Sequence, residues 1–300
     1  MLKNIILTAL ASALLTFGPP SFADAPKLVI GGKNFTEQRL LAEMTGQYLK
    51  ANGFQVDLRT DMGSALVRAA QEHGQIDLYW EYTGTSLISY NKITERLNPE
   101  ETYRRVKELD AKKGLVWLNP STANNTWALA IRESDRDRLT FRTVSELKAA
   151  LEAGKAVTLA AGVQFASRPD GLPGLEKMYG FKYPRPLIKQ MDPGLTYQAI
   201  NDKQVDIAAV YTTDGRVQAF KLMVLKDDKN FFPPYALVPV VREDTLKKYP
   251  QIAPLMNAMS STLNDTSMRK LNASVDVDKK SFDQVAHDFL VQNKLIKQAK

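Results

Sequence analysis

The sequence predicts an α/β protein built as two lobes of like construction. Three observations carry this. From residue 27 onward, strand-like and helix-like patterns alternate, as in sheets covered by helices on both faces. The stretch GQIDLYWEYTGT (74–85) is echoed by KQVDIAAVYTT (203–213) at an offset of 129, so that Gln75, Asp77, Tyr82 and Thr83 fall on Gln204, Asp206, Tyr211 and Thr212. A helix–turn–strand unit used twice is the mark of repeated architecture. A chain of 300 residues with 44 % apolar content has material for two cores.

The elements follow in order. KLVIGG (27–32) reads as a first buried strand. Asn34 with Glu37 three residues on resembles a capping box, and Leu40, Leu41, Met44, Tyr48 and Leu49 then recur with helical spacing. FQVDLRT (54–60) alternates like a strand, and a helix carrying Leu66, Val67 and Ala70 leads into the repeated unit. Asn98-Pro99-Glu100 opens another helix, with strands expected at 114–120 and 126–132. A helix over 144–151 precedes a buried strand at 155–162. Residues 165–174, rich in Pro, Gly, Ser and Arg, read as a loop. A Pro-initiated helix at 193–202 leads to the echo strand, and 231–244 is extended around Pro233-Pro234. Three helices close the chain, around 244–257, 265–273 and 279–293.

This order makes best sense if the chain crosses between lobes twice, near 125–130 and near 231–237. Lobe one is then 26–126 plus 235–300, and lobe two 127–232. Clefts between such lobes bind ligands where strand C-termini meet helix N-termini.

Composition narrows the compartment and the chemistry. Residues 1–23 read as a signal peptide, with Lys3, an uncharged apolar run over 5–17, and small-x-small cleavage patterns around Ala23. The run is too short to span a bilayer. The absence of cysteine excludes disulfides, thiolate chemistry and a lipid-modified cysteine anchor. The expectation is a soluble periplasmic protein, monomeric and without a cofactor. With only His73 and His287, a histidine metal site or a Ser/His/Asp triad has no basis. The net charge of +7 is spread through mixed-sign segments such as YRRVKELDAKK, which argues against nucleic acid.

The strand ends offer Lys33 with Asn34, Tyr82 and Thr85, Phe165 to Arg168, and Tyr211, and the crossings offer Trp127 and Tyr235. Aromatic faces attract cations and suit quaternary ammonium, which has no N–H to donate. Lys33, Arg168 and Thr85 suit a carboxylate. The set describes a zwitterion with a methylated ammonium at one end. Each residue has a plainer reading as well: strand-end core for Tyr82 and Tyr211, hinge packing for Trp127, rigid-turn packing for Tyr235, a surface lysine or helix-start partner for Lys33, a turn for Thr85, an interlobe ion pair for Arg168. Glu81 should point to the strand face opposite Tyr82 and be structural, and Asp77 and Asp206 should serve turns.

The motifs GKNFTEQ (32–38), DLYWEYTGT (77–85), NNTWALAIR (124–132), FASRPDG (165–171), DIAAVYTTDGR (206–216) and PPYALVPVVRE (233–243) span nearly the whole chain after the signal segment. In these the chain resembles the periplasmic substrate-binding proteins of osmoprotectant ABC transporters, the glycine betaine/carnitine/choline-binding family. The resemblance implies the type II periplasmic-binding fold, with two mixed sheets flanked by helices and a two-segment hinge. It implies an aromatic box of Tyr82, Trp127, Tyr211 and Tyr235, a carboxylate set of Lys33, Thr85 and Arg168, and a permease with its ATPase as partners. The chain departs from relatives at Trp127, often Tyr, and at Asn125, where an acidic residue can stand. Two rival functions stay open: a receptor for an amino acid, which would want a carboxylate in the pocket, and an exported hydrolase, which would need a nucleophile and base.

Overall fold

Two five-stranded sheets carry the chain in the computed structural model, which describes residues 25–298. The expected signal segment lies outside those residues. The strands are β1 (Lys27–Lys33), β2 (Gln55–Met62), β3 (Leu78–Tyr82), β4 (Leu115–Trp117), β5 (Trp127–Arg132), β6 (Leu159–Gly162), β7 (Ile188–Met191), β8 (Ile207–Tyr211), β9 (Leu222–Val224) and β10 (Leu237–Arg242). The first sheet has the order β2-β1-β3-β10-β4 and the second β7-β6-β8-β5-β9. In each, three parallel strands are followed by an antiparallel one that arrives from the other sheet. The chain passes over between β4 and β5 and returns between β9 and β10.

The helices are α1 (Thr36–Ala51), α2 (Ser64–Glu72), α3 (Pro99–Ala111), α4 (Val144–Glu152), α5 (Val163–Ser167), α6 (Leu172–Tyr179), α7 (Pro193–Asn201), α8 (Arg216–Ala219), α9 (Glu243–Lys248), α10 (Ile252–Ser260), α11 (Asp265–Asp276) and α12 (Phe282–Gln292). Apolar stripes seat them on the sheets. Leu40, Leu41, Met44 and Leu49 of α1, for example, are all fully buried in the first core.

The repeat is structural as well as sequential. Asp77 and Asp206 do more than serve turns. Asp77 accepts from the Val29 backbone N–H at 2.7 Å and Asp206 from that of Thr158 at 2.9 Å, so each ties the repeated strand to the first parallel strand of its sheet. Thr83 and Thr212 are likewise equivalent. The Thr83 hydroxyl donates to the Pro234 carbonyl and accepts from the Ala236 N–H. That of Thr212 lies 3.2 Å from the Asn124 carbonyl and 3.1 Å from the Thr126 N–H. Each lobe thus grips the strand that has just crossed over, and the two crossing segments pair with one another at Asn124 and Ala236.

Several local expectations are corrected. Residues 165–174 are not one loop: α5 runs to Ser167 and α6 starts at Leu172. Pro173 in the first turn costs no helix hydrogen bond, so a proline read as a breaker is a helix start. Four helices close the chain instead of three, because Pro250 forces Tyr249 out of helical geometry and splits the first window into α9 and α10. Asn34 and Glu37 form no capping box. The N-cap of α1 is Phe35, without a side-chain cap, and Glu37 is buried elsewhere. The edge strand β7 was absent from the sequence reading.

One buried ion pair holds the segment that follows β3. Residues Thr85–Tyr90 form a single π-helical turn. Asp110 of α3 accepts from both Arg68 terminal nitrogens at 2.7 Å, from Ser86 and Trp117 at 2.8 Å and from Asn91 at 2.9 Å. Burial pushes its carboxyl up, but the Arg68 guanidinium, with the hydrogen bonds from Asn91 and Trp117, more than offsets this, so Asp110 titrates below the usual carboxylate range. Asp110→Ala should destabilise the fold by about 3 kcal/mol, the low end for breaking a buried pair, since Arg68 loses its buried partner and keeps only Glu72 at 2.6 Å. Urea unfolding at neutral pH checks this. The depressed value also fixes the sign with pH: the contribution is full above the unfolded carboxyl value and is lost as pH falls through the lower folded one.

Candidate functional site

The cavity between the lobes is assembled by strand register. β8 and β5 pair so that Tyr211 lies opposite Trp127, and β3 and β10 so that Tyr82 lies opposite Leu237, two residues beyond Tyr235. Four rings therefore gather at the edges of the sheets that face each other. Trp127 is 6.3 Å from Tyr211 and 6.2 Å from Tyr235, centroid to centroid. Gly84 makes room for Tyr235: a Cβ there would stand 2.9 Å from the ring.

All seven residues expected to form the site line this one cavity: Lys33, Tyr82, Thr85, Trp127, Arg168, Tyr211 and Tyr235. Asn125 lines it as well, whereas Asn34 does not and lies in an adjoining cleft behind Phe35. Phe35, Ser64 and Gln164 complete the wall, and the sequence reading missed all three. Phe35 is the largest omission. Its ring stacks on Tyr211 at 5.0 Å and on Tyr82 at 6.3 Å, joining the two repeated tyrosines. A signal for one of these residues existed, because the offset of 129 places Gln164 at the position of Phe35 and so marks the turn after β6 as cleft. Phe165 is core, packed edge-on against Trp127.

The two cations, Lys33 buried and Arg168 partly buried, have carboxylates of their own. Lys33 is 1 % exposed and its ammonium is paired to Glu81. Burial lowers the Lys33 pKa, with the Glu81 charge opposing the shift. Glu81 is thus structural in a specific sense, holding the lysine while also accepting from the Tyr79 hydroxyl at 2.6 Å and the Tyr82 N–H at 2.7 Å. Arg168 is paired with Asp170, a residue the sequence reading passed over, and Asp170 also accepts from the Tyr235 hydroxyl at 2.8 Å. Burial disfavours the charged guanidinium, but the Asp170 carboxylate outweighs it and raises the Arg168 pKa. Arg168 reaches across to Thr85 at 3.1 Å, and its guanidinium lies over the Trp127 ring at 4.5 Å. Neither Glu81 nor Asp170 lines the cavity, whose described lining contains no carboxylate.

Donors remain unspent. Glu81 takes one of the three Lys33 N–H groups, and Lys33 also stands 4.8 Å from the centre of the Tyr82 ring. Asn125 donates to Glu37 at 2.7 Å and keeps a buried carbonyl oxygen without a hydrogen-bond partner. The cavity between the lobes has a volume of about 20 Å³. Among the described residues no cluster of His, Asp or Glu has the arrangement of a metal site, and no helix is long and apolar enough to cross a membrane.

Fold and cavity together define a two-lobed substrate-binding protein of the type II periplasmic architecture. Residues 26–292 match the family model described as the substrate binding domain of ABC-type glycine betaine transport systems. The chain belongs to that family, whose members are substrate-binding components of ABC transporters. It is 45 % identical to a glycine-betaine-binding protein of Pseudomonas aeruginosa, over 98 % of this chain and 96 % of that one. It is 34 % identical to the glycine betaine-binding protein YehZ of Escherichia coli, over 89 % of this chain and 91 % of the relative. Among solved structures, that of a glycine betaine/carnitine/choline ABC transporter superposes with a TM-score of 0.71 at 26 % identity, covering 89 % of this chain and 99 % of that chain.

The closeness of Gly84 to Tyr235 gives a test of the wall. Gly84→Ala would put a Cβ 2.8 Å from the Pro234 carbonyl oxygen as well as 2.9 Å from the ring, so it should shift both and cost about 1–3 kcal/mol, as overpacking does. Thermal melts report the loss of stability, and near-ultraviolet circular dichroism should report the moved ring.

Proposed function

We propose that this protein captures a compact quaternary ammonium zwitterion of the glycine betaine type and delivers it to a membrane permease driven by its ATPase. The observation that supports this best is the cavity lining: four predicted rings and two cations from both lobes, with no carboxylate among them. The ammonium end would lie against Tyr82, Trp127, Tyr211 and Tyr235, with Phe35 as a fifth ring. Desolvating a methylated ammonium against rings leaves no N–H unsatisfied. The carboxylate end would take the spare donors of Lys33 and Arg168, with Thr85. Glu81 and Asp170 would keep both cations tolerable in the cleft before a ligand arrives.

The lobes would divide as 26–126 plus 235–300 and 127–232, turning about the paired crossing segments. A space of 20 Å³ holds about one water molecule, and a trimethylammonium group is larger, so the lobes must part to admit it. The full set of rings meets only when they close again, which gives the differential affinity that shifts the population. Residues 1–23 would direct export and be removed, leaving a soluble monomer on the outer side of the cytoplasmic membrane. An amino-acid ligand would bring an ammonium with N–H donors into a wall that offers it no carboxylate.

Calorimetric titration with glycine betaine, proline betaine, carnitine, choline and arginine tests this. Heat from a methylated ammonium is expected, and a response to arginine alone would refute the reading. Tyr82→Ala and Tyr211→Ala should each weaken binding by about 1–2 kcal/mol or more, at the strength of a desolvated cation–π contact. Tryptophan emission should shift as ligand is added, and the shift should be lost in Trp127→Phe while Trp80 and Trp117 remain.

A further inference from the structure

Beside the cavity lies a carboxylate that is bonded on both oxygens and does not line the cavity itself. Glu37, 3 % exposed at the start of α1, accepts four hydrogen bonds. Its Oε1 takes the Tyr82 hydroxyl and the Asn125 amide, both at 2.7 Å. Its Oε2 takes the Thr213 hydroxyl at 2.6 Å and the Asn272 amide at 3.1 Å. These donors come from four places: a ring of the cavity wall, the first crossing segment, the loop after β8 in the second lobe, and α11.

We propose that Glu37 is a positioning residue that couples closure of the lobes to the shape of the ring cluster. The inference rests on the functional reading above and adds to it a residue outside the ligand-contacting set. A carboxylate has about four lone-pair sites, and here four donors fill them. Thr213 is the donor supplied by the second lobe, two residues beyond Tyr211. When the lobes part, Thr213 leaves with Tyr211, and the carboxylate is one donor short. When they close, the same anion that receives Thr213 also fixes the Tyr82 hydroxyl and aims the Asn125 amide. Two facing walls are therefore set by one group. Asn272 strengthens the link, since its amide also reaches the Thr213 carbonyl at 3.0 Å. A glutamine is a poor replacement for this glutamate: a hydroxyl of Tyr82 or Thr213 can turn to accept from its NH₂, but the amide of Asn125 or Asn272 on the same atom remains a donor facing a donor.

The test is a rate experiment on the protein without residues 1–23, following tryptophan emission in stopped flow with glycine betaine, with Trp127→Phe identifying the part of the signal that comes from the cavity. Glu37→Gln should raise koff about 10- to 100-fold, the range for a hydrogen bond to a charged group, while kon changes by less than about threefold. Thr213→Val should do the same, and X-ray scattering at saturating ligand should show both variants more open than the parent. A purely structural role would lower the melting temperature without this split between rates. Tyr82→Phe and Thr213→Val should be non-additive in the parent and additive in Glu37→Gln. Should Glu37→Gln fail to fold, Thr213→Val decides alone. Release at the parental rate with parental compactness, in whichever of these variants fold, overturns the coupling. A parent protein that answers no quaternary ammonium overturns the functional reading instead, so the two failures are distinct.

Discussion

Everything at the cleft hangs on the pairing of each repeated strand with an antiparallel strand that has just crossed from the other lobe. β3 pairs with β10 and β8 with β5, and the clasps of Thr83 and Thr212 fix where each pairing begins. Because side chains alternate along a strand, a slip of one residue would turn Trp127 or Tyr82 away from the cavity. Register therefore decides which rings meet. The core behind each sheet supplies the stiffness that makes that register hold.

Charge burial adds a second constraint. An ammonium and a guanidinium under aromatic rings would each cost several kcal/mol if unpaired, about the penalty of any lone buried ion. Lys33 and Arg168 escape it through Glu81 and Asp170, which stand just outside the cavity. The wall that results presents rings and cationic donors on its inner face and keeps the carboxylates behind it. Glu37 follows the same rule with the sign reversed, as a buried anion wrapped by four neutral donors. Burial raises its pKa, and those donors oppose the rise.

Much of this was legible in the sequence because it repeats. The offset of 129 named Tyr82 and Tyr211, and strand-end logic brought Lys33, Thr85 and Arg168 to the same place. What escaped was decided across the lobes. Phe35 looked like one more apolar residue at a helix start, and only its stacking on rings from both lobes gives it a role. Glu37 matched a local capping pattern, but long-range donors outcompeted that use. Asp170 lay in a stretch read as loop, and its partners Arg168 and Tyr235 come together only when the crossing segments pair. Pro173 and Pro250 show the ambiguity of proline, a starter in one place and a divider in the other.

The framework has a near-twofold character that its contents do not share. Tyr82 matches Tyr211, Thr83 matches Thr212, and Asp77 matches Asp206, yet Lys33 falls on Gly162, Phe35 on Gln164 and Thr85 on Asp214. A perfectly duplicated cleft would present the same face from either side and could not tell the head of a small molecule from its tail. Here the duplicated parts build the enclosure and the unmatched ones give it a direction. A guest with opposite charges at its two ends would have one way in, and the same guest turned end for end would meet the wrong chemistry at both.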